Sequence, residues 1–69
     1  MKYALIVGAS GGLASQIIET ISNDFIILAI DKNPVVISKY ESVANVYPFI
    51  CDITDINSIK DIKDKICKI

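Results

Sequence analysis

Residues 5–14 read Leu-Ile-Val-Gly-Ala-Ser-Gly-Gly-Leu-Ala, and this stretch decides the fold. Its first three residues close an apolar run that begins at Tyr3, and a short apolar run followed by turn residues is typical of a strand buried on both faces of a parallel sheet. After the glycines, apolar residues recur at helical spacing, at positions 13, 14, 17, 18 and 21. The sequence therefore predicts a strand over residues 3–7, a tight turn and an amphipathic helix of about three turns.

A second strand and helix follow in the same order. Residues 25–30 form another wholly apolar run, which ends at Asp31. Asn33 and Pro34 predict the start of a short helix that extends to about Glu41, with Asn as the N-cap and Pro in the first helical position.

The last third of the chain predicts one more strand and one more helix. The third apolar run covers residues 45–50, and Pro48 indicates an edge strand or a strand that begins late, because proline lacks the backbone donor. Thr54 or Asp55 caps the last helix. Its inward stripe is Ile56, Ile59, Ile62, Ile66 and Ile69, and its solvated face is Lys60, Asp61, Lys63, Asp64, Lys65 and Lys68. The alternation predicts an α/β fold with a three-stranded parallel sheet in the order 3-2-1, joined by right-handed crossovers.

Composition narrows the class of function. The chain has 69 residues, which is one domain or less, with seven Lys, eight Asp or Glu and a net charge of −1. Without a basic patch, nucleic acid is not an expected partner, and the apolar runs are too short to span a membrane. The lack of His removes the commonest acid–base group and metal ligand, and we expect no metal site. Two cysteines are too few for a disulfide framework, and we expect a reducing, cytoplasmic setting.

The glycine-rich turn is the candidate functional element. A helix N-terminus presents free backbone N–H groups and the positive end of its dipole, and glycines let a phosphate approach it closely. Asp31 closes the second strand roughly 20 residues downstream, at the distance expected for a carboxylate that binds the adenosine ribose. The candidate cofactor-binding residues are Gly8, Ser10, Gly11, Gly12, Leu13, Asp31, Lys32, Asp52 and Ile53. The alternatives are a strand-to-helix turn without a ligand, a solvated strand end at Asp31, and a cap or turn role for Asp52.

The spacing of the glycines fits two patterns. The pattern G-x-G-x-x-G does not start at Gly8, because Ser10 stands where the second glycine belongs. Gly8, Gly12 and Ala14 match G-x-x-x-G-x-G, and Gly8, Gly11 and Ala14 match G-x-x-G-x-x-G, each with Ala in the last place.

Residues 5–14 resemble the cofactor-binding opening of the short-chain dehydrogenase/reductase family. Asp31 matches that family's acidic residue after the second strand, and residues 51–55, Cys-Asp-Ile-Thr-Asp, resemble the segment after the third strand whose Asp contacts adenine. The resemblance implies that residues 1–69 are the N-terminal dinucleotide-binding half of a Rossmann fold. It implies NAD as the cofactor, since a carboxylate repels the 2′-phosphate of NADP, while Lys32 keeps NADP open.

Two departures from the family concern activity and affinity. The family's catalytic Tyr-x-x-x-Lys pair and its Ser lie beyond the position of Ile69, and Tyr3, Tyr40 and Tyr47 are not followed four residues later by Lys. Val7 also stands where many members of the family have Thr, so one hydroxyl that stabilises the turn is missing. The resemblance therefore implies the NAD(P)-binding portion of an oxidoreductase that transfers hydride between a nicotinamide and a carbonyl or alcohol. A non-catalytic dinucleotide-binding or sensor module, or an inactive truncated fragment, is the alternative.

The first strand predicts one more partner. In a complete fold of this type it lies in the middle of the sheet, next to a fourth strand. In this chain its outer edge would be unpaired, and natural proteins avoid open edges. We therefore expect self-association through residues 3–7.

Overall fold

A computed structural model describes residues 2–68 of the chain. The elements in chain order are β1 (Lys2–Val7), α1 (Gly12–Ile21), β2 (Phe25–Asp31), α2 (Val35–Tyr40), β3 (Val46–Ile50) and α3 (Ile56–Ile66). This order confirms the predicted alternation of three strands and three helices.

The three strands form one parallel sheet in the order β1-β2-β3, which is the predicted order 3-2-1 read from the opposite edge. The central strand β2 is the most apolar, and its residues 27–30 are all buried. Val7 pairs with Ile30, and Asp31 pairs with Ile50. The register therefore brings the carboxyl ends of all three strands to one edge of the sheet.

Helices cover both faces of the sheet. α1 and α2 pack on one face around a core that includes Ile18, Ile27 and Val36. α3 packs on the other face, where Ile62 forms a smaller buried cluster with Ile30 and Cys51. The result is a three-layer α/β arrangement, and its buried cysteine serves as a small apolar side chain.

β3 is an edge strand, as Pro48 predicts. Pro48 lies opposite Ala29 of β2, and β3 has no second neighbour among residues 2–68. The strand starts at Val46, one residue later than the apolar run, because Asn45 is in the left-handed region with φ 67°. The Asn45 side chain donates to the Ser22 carbonyl over 2.9 Å, which fixes this turn against the end of α1.

One of the two expected helix caps is present as predicted. α2 begins at Val35 with Pro34 as its N-cap, one residue later than expected, although Asn33 Oδ1 accepts from the Val35 N–H over 3.1 Å. For α3 the cap is Asp55, whose carboxylate accepts from the Asn57 N–H over 3.0 Å. An oxygen of a capping side chain replaces the acceptor that a helix start lacks.

Two expectations about burial are wrong. β1 is not buried on both faces, since Tyr3, Leu5 and Val7 are about half exposed on the face shared with α3. Of the predicted inward stripe of α3, Ile56 and Ile59 are exposed, Ile62 is buried, Ile66 is partly buried, and Ile69 lies outside the described residues. α3 is the single helix on this face and covers only part of the sheet. Apolar residues that α3 does not cover therefore remain exposed within residues 2–68.

Candidate functional site

The glycine-rich turn joins β1 to α1. Some of the backbone N–H groups at this junction form hydrogen bonds within the protein, and others have no acceptor. Ala9 and Gly11 donate to the carbonyls of Ile30 and Gly8, over 3.0 and 3.1 Å, and so shape the turn. The first intrahelical bond of α1 is donated by Ser15 to the Gly11 carbonyl over 3.0 Å. The three preceding amides, those of residues 12–14, have no hydrogen-bond acceptor within the described chain. They form a free helix N-terminus, as at the start of other α-helices.

The three glycines serve different purposes. Gly8 has φ +72°, a conformation that disfavours any side chain. A Cβ on Gly11 would lie 3.4 Å from the Gly8 carbonyl oxygen, which is ordinary contact. A Cβ on Gly12 would meet no protein atom within 4 Å. The fold thus requires a glycine at position 8 and does not require one at position 12.

Asp31 contacts the turn directly. Its Oδ2 accepts from the Ser10 N–H over 3.0 Å and also from the Ser10 hydroxyl, while its Oδ1 accepts from the Asn33 N–H over 3.0 Å. The Ser10 hydroxyl, followed by the Asn33 and Ser10 amides, holds the pKa of the Asp31 carboxyl below its usual value. Asp31 is therefore an oriented, partly exposed carboxylate at the end of β2.

Two side chains of α2 also support the turn, and neither was among the predicted site residues. The buried Tyr40 hydroxyl donates to the Ala9 carbonyl over 2.6 Å, and burial raises the pKa of this phenol, so it remains a donor. Lys39 donates through Nζ to the Ser10 carbonyl over 3.1 Å. These contacts span about 30 residues, and the helical spacing of Val36 and Tyr40 was the one signal that Tyr40 faces inward.

Asp52 follows β3 and is engaged locally. Its Oδ1 accepts from the Thr54 N–H over 2.9 Å and from the Thr54 hydroxyl over 2.6 Å, and its carbonyl accepts from the Asp55 N–H. The Thr54 hydroxyl and amide, with a smaller contribution from the charge of Lys32, lower the pKa of Asp52. This is the turn geometry that the alternative reading of Asp52 described, although the carboxylate keeps free lone pairs.

A cleft of about 210 Å³ opens at the carboxyl ends of the three strands. Its lining residues are Val7, Gly8, Asp31, Lys32, Cys51, Asp52, Ile53 and Thr54. In open α/β sheets, ligands bind in the crevice at this edge. Small-molecule pockets measure roughly 300 Å³ or more, so the cleft has room for one part of a dinucleotide.

The structure brings together most of the predicted site residues. Five of them line the cleft: Gly8, Asp31, Lys32, Asp52 and Ile53. Ser10 does not line the cleft, but it is hydrogen-bonded to Asp31, which does. Gly11, Gly12 and Leu13 do not line the cleft; they lie at the start of α1, where Leu13 is largely exposed.

Two other classes of site are not seen in the described part of the chain. Residues 2–68 contain no cluster of three or more His, Cys, Asp and Glu side chains placed to hold a metal ion. Over the same residues, no helix is both long enough and apolar enough to cross a membrane.

Comparison of the chain with protein-family models, with curated proteins and with solved structures found no match in any of the three.

Proposed function

We propose that this chain binds NAD and forms the nucleotide-binding half of an oxidoreductase similar to the short-chain dehydrogenases/reductases. In such a protein the nicotinamide carries the hydride, and the protein supplies binding and orientation. The residues assigned to binding are Gly8 and Ser10–Leu13 at the turn, Asp31 and Lys32 after β2, and Asp52 and Ile53 after β3. The free thiols of Cys51 and Cys67 favour a reducing, cytoplasmic setting.

The observation that carries the proposal is Gly12. Gly12 is the first residue of α1, and neither the backbone nor the packing of this protein requires a glycine there. The unpaired amides of residues 12–14 begin at the same position. A diphosphate that approaches the helix tip gives both features a purpose, because a side chain at position 12 would hold it away from those amides.

The oriented carboxylate of Asp31 supports a nucleotide with free ribose hydroxyls. Its two oxygens accept three protein hydrogen bonds, and a carboxylate has about four acceptor positions, so capacity remains for a ribose hydroxyl. Its negative charge disfavours a 2′-phosphate, which favours NAD over NADP. Lys32 on the same rim is a cation that keeps NADP as the second choice.

Substitution of Gly12 by Ala tests the proposal. The variant should fold as well as the parent, because the added methyl meets no protein atom within 4 Å. In a titration with NADH followed by its fluorescence, the Kd should rise by about tenfold or more, which corresponds to about 1.4 kcal/mol of steric cost.

Thr20→Ala is the matched control, at the far end of the same helix with an exposed hydroxyl bonded to Gln16. It should leave the Kd unchanged. If the parent chain gives no saturable change with NADH, or if Gly12→Ala binds NADH as tightly as the parent does, the assignment of the turn is wrong.

A non-catalytic dinucleotide-binding or sensor module is the second candidate. The observation that favours it is that Tyr3, Tyr40 and Tyr47 have no Lys four residues later, and that the Tyr40 hydroxyl is committed to Ala9. NADH binding without reduction of any carbonyl substrate by the complete protein would favour this candidate.

A further inference from the structure

The peptide group that joins Ala9 to Ser10 is held at both ends. Its carbonyl accepts from the Tyr40 hydroxyl over 2.6 Å, and its N–H donates to Asp31 Oδ2 over 3.0 Å. The carbonyl and the N–H of a trans peptide group point to opposite sides. This carbonyl therefore faces α2, while the N–H faces Asp31, which lines the cleft.

The next peptide group, which joins Ser10 to Gly11, has the same orientation. Its carbonyl accepts from Lys39 Nζ over 3.1 Å, and its N–H donates to the carbonyl of Gly8 over 3.1 Å. Gly8 also lines the cleft. Two successive peptide groups thus direct their carbonyls to α2 and the positive ends of their dipoles to residues of the cleft, an arrangement that favours an anion on the cleft side of the turn.

The two donors on α2 differ in what else they do. Tyr40 is buried and belongs to the main apolar core, whereas Lys39 is exposed. The Lys39 ammonium lies 5.8 Å from the centroid of the Tyr40 ring, and this contact, with the bond to the Ser10 carbonyl, limits its position. A hydrogen bond from a charged donor is stronger than a neutral one. Lys39 therefore holds a peptide group of the turn without contributing to the core.

We propose that Lys39 is a positioning residue for the diphosphate of the bound dinucleotide, an inference that rests on the proposed function. Its bond keeps the Ser10 carbonyl oxygen on the α2 side of the turn. A reversal of this peptide group would break the bonds to Lys39 and Gly8 and would direct a partial negative charge toward the cleft. That charge would repel a diphosphate, so the Lys39 bond favours the orientation that accepts one.

The position of Lys39 predicts which ligands depend on it. Lys39 does not line the cleft, where Asp31 and Asp52 are assigned to the nucleoside part of the ligand. Adenosine contains that part and no phosphate, so its affinity should not depend on Lys39. NADH adds the diphosphate, whose charge responds to the orientation of the turn. The ratio of the two dissociation constants therefore reports the positioning role separately from any general effect on the fold.

Titrations of Lys39→Met with NADH, followed by fluorescence, and with adenosine, followed by NMR, test the proposal. The Kd for NADH should rise by about fivefold or more, the Kd for adenosine should not change, and the circular dichroism should match the parent. Lys39→Arg keeps a charged donor and should bind NADH within about twofold of the parent. Lys68→Met is the matched control, since it removes the same charge from an exposed side chain beyond the end of α3 and should leave both constants unchanged.

A measurement without ligand separates positioning from direct contact. In ligand-free Lys39→Met, hydrogen exchange of the Gly11 amide should be about fivefold faster than in the parent, because its peptide group has lost one of two bonds.

The outcomes distinguish this inference from the proposed function. A parent chain without saturable NADH binding would contradict both. A parent that binds NADH, with Lys39→Met binding it equally well, would overturn the inference alone. So would an equal loss of affinity for adenosine and NADH, which would make Lys39 a support of the fold, an unchanged exchange rate at Gly11, which would make it a direct ligand, or a Lys39→Arg variant as weak as Lys39→Met.

Discussion

Removal of the Ser10 hydroxyl by Ser10→Ala should reduce stability in a way that depends on pH. The variant loses the O–H donor to Asp31 Oδ2 and keeps the Ser10 and Asn33 N–H donors. A hydrogen bond to a charged group is worth about 1.5–3 kcal/mol. Because Asp31 is only half-buried, solvent screening reduces this to about 1 kcal/mol. For a domain of this size that loss corresponds to a fall in Tm of roughly 4–8 °C at pH 7.

The pH dependence follows from the sign of the pKa shift. The folded protein lowers the pKa of Asp31, so the stabilisation is complete above the unfolded pKa of about 3.9 and is lost as the pH falls through the folded pKa. The difference between parent and variant should therefore be full at pH 7 and smaller at pH 2, because the Asp31 carboxyl takes up its proton as the pH falls. In the variant the pKa of Asp31 should move up toward its usual value.

Urea denaturation followed by circular dichroism at both pH values, with an NMR titration of the Asp31 carboxyl, measures these effects. Ser38→Ala removes an exposed hydroxyl bonded to a backbone carbonyl, and any effect it has should be the same at both pH values. A stability loss in Ser10→Ala that is equal at pH 7 and pH 2, or an unchanged pKa of Asp31, would refute the role given to this hydrogen bond.

Three further substitutions test the scaffold of the site. Gly8→Ala forces a side chain into φ +72° and should cost about 1–2 kcal/mol of unfolding free energy, although its Cβ meets no neighbour; a neutral result in urea denaturation would contradict the strained geometry. Tyr40→Phe leaves the Ala9 carbonyl without its donor and should cost about 1–3 kcal/mol in the same assay, whereas an unchanged midpoint would mean that water replaces the hydroxyl. Asp55→Ala removes the cap of α3 and should cost about 1 kcal/mol with a loss of helical circular dichroism, and Asp55→Ser should restore most of both.

The sequence was sufficient to predict the order of elements, because each depends on a local pattern. The apolar run of residues 25–30 matches the buried central strand, Pro48 matches an edge, and the cap at Asp55 is read from adjacent residues. Side-chain pairing across the sheet was not predictable. The Ser10–Asp31 contact spans 21 residues and depends on the register between β1 and β2, which no local pattern specifies.

Burial was predicted less well than secondary structure. Hydropathy gives the tendency of a side chain to leave water but does not say whether a neighbour is available. Leu5 and Ile56 are as apolar as Leu28 and Ile62, yet the first two are exposed and the last two buried. The difference lies in the narrow sheet and in the single helix on one of its faces.

The glycine-rich turn belongs to the first βα unit but depends on the second, because α2 donates hydrogen bonds to it. A helix of six residues is too short to persist in water by itself, yet Tyr40 holds Ala9 and Lys39 holds Ser10. A synthetic peptide of residues 1–24 should therefore lack the ordered turn, even though it contains every glycine. During folding, the glycine-rich turn should acquire its final shape only after the second unit has docked. Recombination that exchanges the first unit alone would therefore remove the side chains that hold the turn.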